Sequence, residues 1–486
     1  MLYSIEMSAN IVATEKVQID PINAPPDGEY SFKNGYPIIQ FLVAQSDKYL
    51  VGKSLRLTGE IEINTATAGQ LPKNNAGVGG ANGATRRNAS IDRVVGVASA
   101  IHQVTLSTLD NQTLEMVKQY PRLLSSLVSA THGATDLTNG NSASQLVNSR
   151  SIVQACSLNT QRSFSIPIRC GLLSGTGLIP LGQNGTRGMI LQMECAPDSS
   201  VIEPFLSATE AGPDDEIARS GTTASTDISR FSYRLKNLTL TYDLLVPDEE
   251  GAQMMNNASQ GALVYNAYSN LYSVVNASDQ TVTLNLGASK VQSVIHNIIP
   301  TTKINNSQEF SNALFKFQNG NVEANIKEVA YAKAGILFPR ENRIDEKQPN
   351  AGADGGSEID CVTLETYLNS IRNINDIDNC LASARTEAQL STRVNSVVRT
   401  PHNHPNDSVQ GQYQDRWGNT LTNDTHPVFG LGVKQDTFRH GVDYSRQPYS
   451  VRVTSELDGN NPNSLFTYVL AESQLSYSPE GIRVTS

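Results

Sequence analysis

The chain has 486 residues, 38% of them hydrophobic and only 17% charged, with 35 Gly and 21 Pro. This length fits two or three domains, and this composition excludes a helix-rich, Ala/Leu/Glu/Lys-type protein. The net charge of −10 disfavours a protein that works by neutralising phosphates, since the longest basic run is the pair Arg86-Arg87.

The first half predicts about eight short strands. They lie near 11–19, 37–45, 54–64, 91–97 (IDRVVGV), 100–108 (AIHQVTLST), 163–173, 188–196 and 231–246. Most alternate apolar and polar residues or are rich in Val, Ile, Thr and Tyr, which suits a pleated surface. Residues 112–130 place Leu114, Val117, Tyr120 and Leu124 on one helical face, with Pro121 splitting the segment and opening a second helix at its first position. Asp248-Glu249-Glu250 opens a helix, because carboxylates stabilise a helix N-terminus. The boundary between halves is placed in that linker helix, 247–262. Met254, Met255, Tyr265 and Tyr268 around it are candidates either for a contact between chains or for the core.

The second half predicts strands near 279–287, 291–299, 309–317, 321–337, 428–434, 449–457, 465–477 and 481–485, with one helical pattern at 362–373. This density of strands implies sandwiches or barrels. The connections 65–90, 132–162, 197–230, 338–360 and 392–426 are long and rich in Gly, Asn, Ser, Asp and Pro. Loops of that length are either filler or projecting functional surface.

The two halves resemble each other. Val97–Val104 (VASAIHQV) aligns with Val291–Ile298 (VQSVIHNI), which gives His102 and His296 equivalent positions. Tyr233-x-Leu235-x4-Leu240-x-Tyr242 aligns with Tyr468-x-Leu470-x4-Leu475-x-Tyr477. Cys170–Leu173 aligns more loosely with Ala334–Leu337. Three matches in one order predict a duplicated domain of roughly 230 residues, too long a period for a solenoid or propeller blade. A duplicated eight-stranded domain points to jelly rolls.

Chemistry-bearing motifs are sparse. The five cysteines, Cys156, Cys170, Cys195, Cys361 and Cys380, form no CxxC pair, so free thiols are expected rather than a disulfide framework or zinc site. His102 and His296 sit among apolar neighbours and read as hydrogen-bonded strand histidines. His402 and His404, flanked by prolines with His426 downstream, lack a further close metal ligand. There is no GxSxG, and Gly79–Gly83 lacks the Lys-Ser/Thr of a phosphate loop. With a single tryptophan, Trp417, aromatic sugar platforms are scarce. Nine Asn-x-Ser/Thr triplets, among them those at Asn88, Asn237 and Asn276, are the number such a composition produces by chance. No signal peptide and no run of about 18 apolar residues is visible, so no targeting or spanning segment is expected. Catalytic, cofactor and metal sites are therefore each expected to be none.

Several stretches together resemble the double jelly-roll major capsid proteins of DNA viruses, those of virophages and polinton-like viruses in particular. They are IIQFLVAQSDKYLVGKSLRLTGEIEI (38–63), IHQVTLSTLDNQTLEMVKQYPRLL (101–124), FSIPIRCGLLSGTGLIPLG (164–182) and YRLKNLTLTYDLL (233–245). In the second half they are SVIHNIIP (293–300), AGILFPRENRI (334–344) and LFTYVLAESQLSYSPEGIRV (465–484). The chain is shorter than many members. The resemblance implies an all-β chain with a few short helices, a first jelly roll over 1–246 and a second over 263–486. It implies a homotrimer of pseudo-hexagonal outline that tiles an icosahedral shell around a DNA genome. The partners would be further capsomers, penton and minor capsid proteins, with no specific nucleic-acid binding and no indication of an internal membrane. The location would be the virion capsid, assembled inside the host cell. Two other readings remain open: a carbohydrate-binding or carbohydrate-active jelly roll, and a viral fibre or receptor-binding protein.

Overall fold

A computed structural model describes residues 11–33, 35–65, 73–74, 85–86, 88–91, 95–131, 161–174, 177–182, 185–205, 231–259, 262–301, 304, 324–333, 335–337, 370, 428–432, 441–457, 462–478 and 481–485. The expected strand at 309–317, most of the expected helix at 362–373 and nearly all of the long connections lie outside the described residues, as do His402, His404, His426 and Trp417.

In chain order the strands of the first half are β1 (Ile11–Ile19), β2 (Glu29–Tyr30), β3 (Ile38–Val43), β4 (Tyr49–Val51), β5 (Arg56–Thr65), β6 (Lys73–Asn74), β7 (Thr85–Arg86), β8 (Asn88–Ile91), β9 (Ile101–Thr108), β10 (Thr113–Lys118), β11 (Gln161–Pro167), β12 (Leu178–Pro180), β13 (Met189–Cys195), β14 (Ile202–Phe205) and β15 (Phe231–Pro247). The second half adds β16 (Ala262–Val275), β17 (Asp279–Leu284), β18 (Val291–Pro300), β19 (Ala324–Lys333), β20 (Ile336–Leu337), β21 (Val428–Gly432), β22 (Tyr449–Leu457), β23 (Asn463–Ser478) and β24 (Gly481–Thr485). The helices are α1 (Tyr120–Thr131), α2 (Gly171–Ser174), α3 (Asp198–Val201) and α4 (Glu249–Ser259).

Eight principal strands make up each half. In the second they are β16 to β23; in the first they are β1 with β2, then β3, β5, β9, β10, β11, β13 and β15. Counted along the chain, both halves give the same two sheets, in the orders 1-8-3-6 and 2-7-4-5. Every described pairing is antiparallel, and each stays within one half. Consecutive strands alternate between the two sheets except the fourth and fifth, which pair with each other in one sheet, and that is the jelly-roll path.

Alternation in sequence becomes alternation in burial where a sheet has one wet face. In β3 and β13 the buried set is Ile39, Phe41 and Val43 facing Met189, Leu191 and Met193. Leu57, Ile61, Ile63, Tyr233, Leu235 and Leu240 close the same core from the larger sheet. Fully burying each such side chain stabilises the fold by about 1.5–3 kcal/mol.

In the sheet of β16, β18, β21 and β23 the strands β18 and β23 differ, because both their faces are covered. Val291, Val294, Ile298, Leu465 and Val469 face the second sandwich, with Val329, Val451 and Val453 opposite. Ile295, Ile299, Phe466, Tyr468 and Leu470 instead belong to the core of the first half. This explains why VQSVIHNII reads as an unbroken buried run rather than an alternating one.

Three sequence expectations require correction. Residues 113–118 form strand β10 rather than helix; their apolar spacing at Leu114 and Val117 does not distinguish the two, and pairing with β9 decides it. The helix starts at Tyr120, with Pro121 in its first turn as expected. In the segment 91–97, Ile91 ends β8, residues 92–94 lie outside the described residues, and Gly96, at φ +60°, opens a 3-10 turn over Gly96–Ala100 in place of the end of the expected strand. The third concerns the repeat. Ile101–Val104 lie on the fourth strand of the first half, but Val291–Ile298 lie on the third strand of the second, so His102 and His296 are not equivalent. Cys170–Leu173 follow a sixth strand, whereas Gly335–Leu337 turn from a fourth into a fifth. Only the Tyr-x-Leu match joins true counterparts, the two eighth strands, where Tyr233, Leu235, Leu240, Tyr468, Leu470 and Leu475 are all buried.

The linker helix forms as its carboxylates predict: the Asp248 carboxylate accepts the Gly251 N–H at 2.7 Å, and Glu249 and Glu250 occupy the first turn. The 14-residue strand β16 directly after it was not anticipated from sequence.

Candidate functional site, the junction between the two halves

Strand β10 and helix α2 of the first half lie against β16, an edge strand of the second-half sheet. An edge strand leaves a row of backbone groups unpaired. Here the first half meets one of them, the Tyr268 N–H, and bonds to two side chains of the same strand. Glu115 is fully buried, and its carboxylate accepts the Tyr268 N–H at 2.8 Å from β16, the Gly171 N–H at 2.8 Å and the Leu172 N–H at 3.2 Å. Asn270 makes a reciprocal pair with the Lys118 backbone, donating to its carbonyl at 2.7 Å and accepting its N–H at 3.1 Å. The Tyr265 hydroxyl donates to the Leu114 carbonyl at 3.0 Å. Tyr265 and Tyr268 are therefore core residues of the junction, while Met254 stands 43% exposed.

Why Glu115 points inward is local. The pairing of β10 with β9 shifts register between Thr113 and Glu115, a bulge that buries Leu114 and Glu115 together. Burial pushes the Glu115 carboxyl up to about 7, against the opposing pull of the three backbone N–H groups and the Cys170 thiol. The same burial, with Glu115 beside it, drives the Cys170 thiol well above its ordinary value. Cys170 and Cys195 are buried free thiols, as expected for this cysteine usage. Sequence reasoning missed Glu115; the only available signal was a carboxylate between Leu114 and Met116 in a strand-like run.

Gly171 fits only as glycine. A Cβ there would lie 1.8 Å from the Asn266 carbonyl oxygen and 2.9 Å from the Ala267 Cα. Gly171→Ala is therefore expected to push α2 off β16, breaking two of the three bonds to Glu115. A loss of about 3 kcal/mol or more is expected from overpacking plus lost buried bonds, read as a lowered thermal midpoint. An unchanged midpoint would contradict this packing.

Below the junction, α1 packs on β9 and the 3-10 turn of its own half, with Leu123, Leu124 and Leu127 buried. Its start reaches the second half: the Tyr468 hydroxyl donates to the Gln119 carbonyl at 3.0 Å, and the buried Arg122 guanidinium lies 4.7 Å over the Phe466 ring.

The two histidines have separate fates. His296 is fully buried in the second half, bonded through Nε2 to the Tyr449 hydroxyl at 2.7 Å and through Nδ1 to Thr467 Oγ1 at 2.9 Å. Its ring stacks on Tyr331 and Tyr449. Burial lowers its imidazole to about 3, so it is neutral. His102, half-buried, is lowered chiefly by burial, opposed by Glu194. Among the described residues no group of three His, Cys, Asp or Glu side chains could hold a metal ion. Nor is any helix there long and apolar enough to cross a membrane.

No protein-family model matches the sequence, and no curated protein matches it. Solved structures do. A chain of the Sputnik virophage cryo-EM structure aligns at a TM-score of 0.53 and 9% identity, over 98% of this chain and 89% of that one. The Faustovirus major capsid protein aligns at 0.52 and 10% identity, over 97% and 91%. PBCV-1 VP54, fitted into a reconstruction of Sputnik, aligns at 0.51 and 10% identity, over 98% and 97%. Coverage from end to end on both sides, together with the doubled 1-8-3-6 and 2-7-4-5 sheets, establishes the architecture: the chain has the double jelly-roll fold of viral major capsid proteins.

Proposed function

We propose that this protein is the major capsid protein of a DNA virus, a structural protein rather than an enzyme. The observation that carries the reading is the docking of two complete jelly rolls in one chain through a buried, hydrogen-bonded junction. We assign 1–246 to the first jelly roll, 247–262 to the linker helix and 263–486 to the second. Three chains supply six similar units, enough to close a pseudo-hexagonal capsomer that tiles an icosahedral shell. Its partners are then further capsomers, penton and minor capsid proteins, and its place is the virion. The acidic balance fits a shell that leaves genome condensation to other proteins.

Mass measurement and electron microscopy of the purified chain test this. The expected particle is a compact trimer of three 52.6 kDa chains, hexagonal in outline. A stable monomer under every salt and pH condition, or glycan hydrolysis lost on a single carboxylate substitution, would overturn it.

A further inference from the structure

The outer face of the larger first-half sheet carries two arginines side by side. Along β11, Phe164, Ile166 and Ile168 are buried, and the half-buried Ser165, Pro167 and Arg169 alternate with them. Pro167 stands opposite Arg56 of β5, and the Ile168 N–H donates to the Leu55 carbonyl at 3.3 Å, which carries the ladder past the end of the strand. Ser165 and Arg169 are therefore the two diagonal neighbours of Arg56, at about 7–8 Å, a separation that long side chains span. Arg56 is anchored on the first of them: its Nε donates to the Ser165 hydroxyl and its Nη2 to the Ser165 carbonyl, both at 2.8 Å. Its Nη1 meets no acceptor among the described residues. The Arg169 backbone N–H donates to the Tyr120 hydroxyl at 2.7 Å, but its guanidinium makes no hydrogen bond or ion pair among the described residues. Neither arginine has a carboxylate partner among them, although the chain carries a net charge of −10. Burial first, and the Arg169 charge second, hold the Arg56 guanidinium below its ordinary value.

We propose that Arg56 and Arg169 form a binding site for a tetrahedral oxyanion of the phosphate class. Each guanidinium is a planar fork of N–H donors that matches two oxygens of such an ion. A tetrahedral oxyanion has oxygens enough for both forks at once, whereas a lone carboxylate satisfies one fork and leaves the other. The bonds to Ser165 fix Arg56 before the ion arrives, so little side-chain freedom is lost on its side. The ion also supplies the counter-charge that the two cations lack. The site adjoins the junction: the Arg169 charge is felt at the Tyr268 hydroxyl of the second half and at the Tyr120 hydroxyl at the start of α1. The inference does not depend on the capsomer reading.

Calorimetric titration of the full chain with inorganic phosphate tests the site. One phosphate per chain should bind with a Kd of about 1 mM or tighter. Phosphate at about 20 mM should raise the thermal midpoint by about 2 °C or more over chloride of equal ionic strength. Arg169→Gln should weaken binding at least about tenfold and lose that rise. Arg169→Glu, which sets a carboxylate beside Arg56, should abolish binding and keep or raise the midpoint in chloride. A wild-type chain that takes up no phosphate at about 20 mM overturns the site. So does a glutamine variant that binds as the wild type does, or one whose midpoint rises equally, which marks a general salt effect. A glutamate variant less stable than the wild type in chloride would show that Arg169 does not face Arg56, and overturns it too. A chain that forms capsomers without binding phosphate overturns this inference alone.

Discussion

Glu115→Ala is expected to destabilise the protein by about 3–6 kcal/mol, because it strands three buried N–H donors, each costing about 1–3 kcal/mol when left unmet. Two of those donors, Gly171 and Leu172, belong to the first half and one, Tyr268, to the second. The loss should therefore appear as separation of the halves as well as a lower midpoint of unfolding. Glu115→Gln keeps an acceptor oxygen in place and should recover more than half of the loss. An alanine variant as stable as the wild type would show that the junction does not depend on this carboxylate.

The glutamine variant also removes a proton-linked contribution whose sign is fixed by the direction of the shift. The carboxyl stands at about 7 in the folded chain against an ordinary 4.5, so the folded state binds the proton more tightly than the unfolded state. Its contribution is complete below pH 4.5 and is lost as pH rises through 7. At about 1.4 kcal/mol per pH unit it amounts to about 3 kcal/mol.

His296 acts in the opposite sense, and its substitution is the second large effect. Its imidazole stands at about 3 against an ordinary 6.5. The unfolded chain therefore takes up a proton that the folded chain refuses. The stabilisation is complete above pH 6.5 and is lost as pH falls toward 3, about 5 kcal/mol in all by the same linkage. Between pH 4.5 and 6.5 the two slopes cancel, and the pair together contribute a level stretch. Glu115→Gln should leave stability rising with pH across that window. His296→Gln should leave it falling, from a lower starting value because the stack on Tyr331 and Tyr449 is lost. Urea unfolding at half-unit pH steps reads both slopes. Parallel wild-type and variant curves would contradict the buried, neutral state of His296.

These residues also mark what could be read in advance. Strands with one wet face are legible almost to the residue, as at β13, β17 and β22, because alternation in sequence reports a single buried face. Where burial is two-sided the pattern dissolves. β16 shows no clean alternation either, since Ala262–Val275 sets buried Leu263, Tyr265 and Tyr268 among exposed Val264, Ser269 and Tyr272. β10 was read as helix because Leu114 and Val117 satisfy either period.

The repeat shows the same division. The Tyr-x-Leu match survived since both eighth strands have their tyrosines and leucines buried in comparable cores. The match around His102 and His296 did not survive, because short apolar strands resemble one another wherever they lie in the topology.

By itself, then, the sequence determined the class, the strand-rich halves, the helix between them, the absence of catalytic motifs and the capsid resemblance, for these follow from local propensity, period and motif order. Only the tertiary structure decided strand order, the true correspondence between halves, and the pairing of Glu115 with β16. Those depend on contacts between residues up to 349 positions apart, and such contacts leave no periodic trace in either partner.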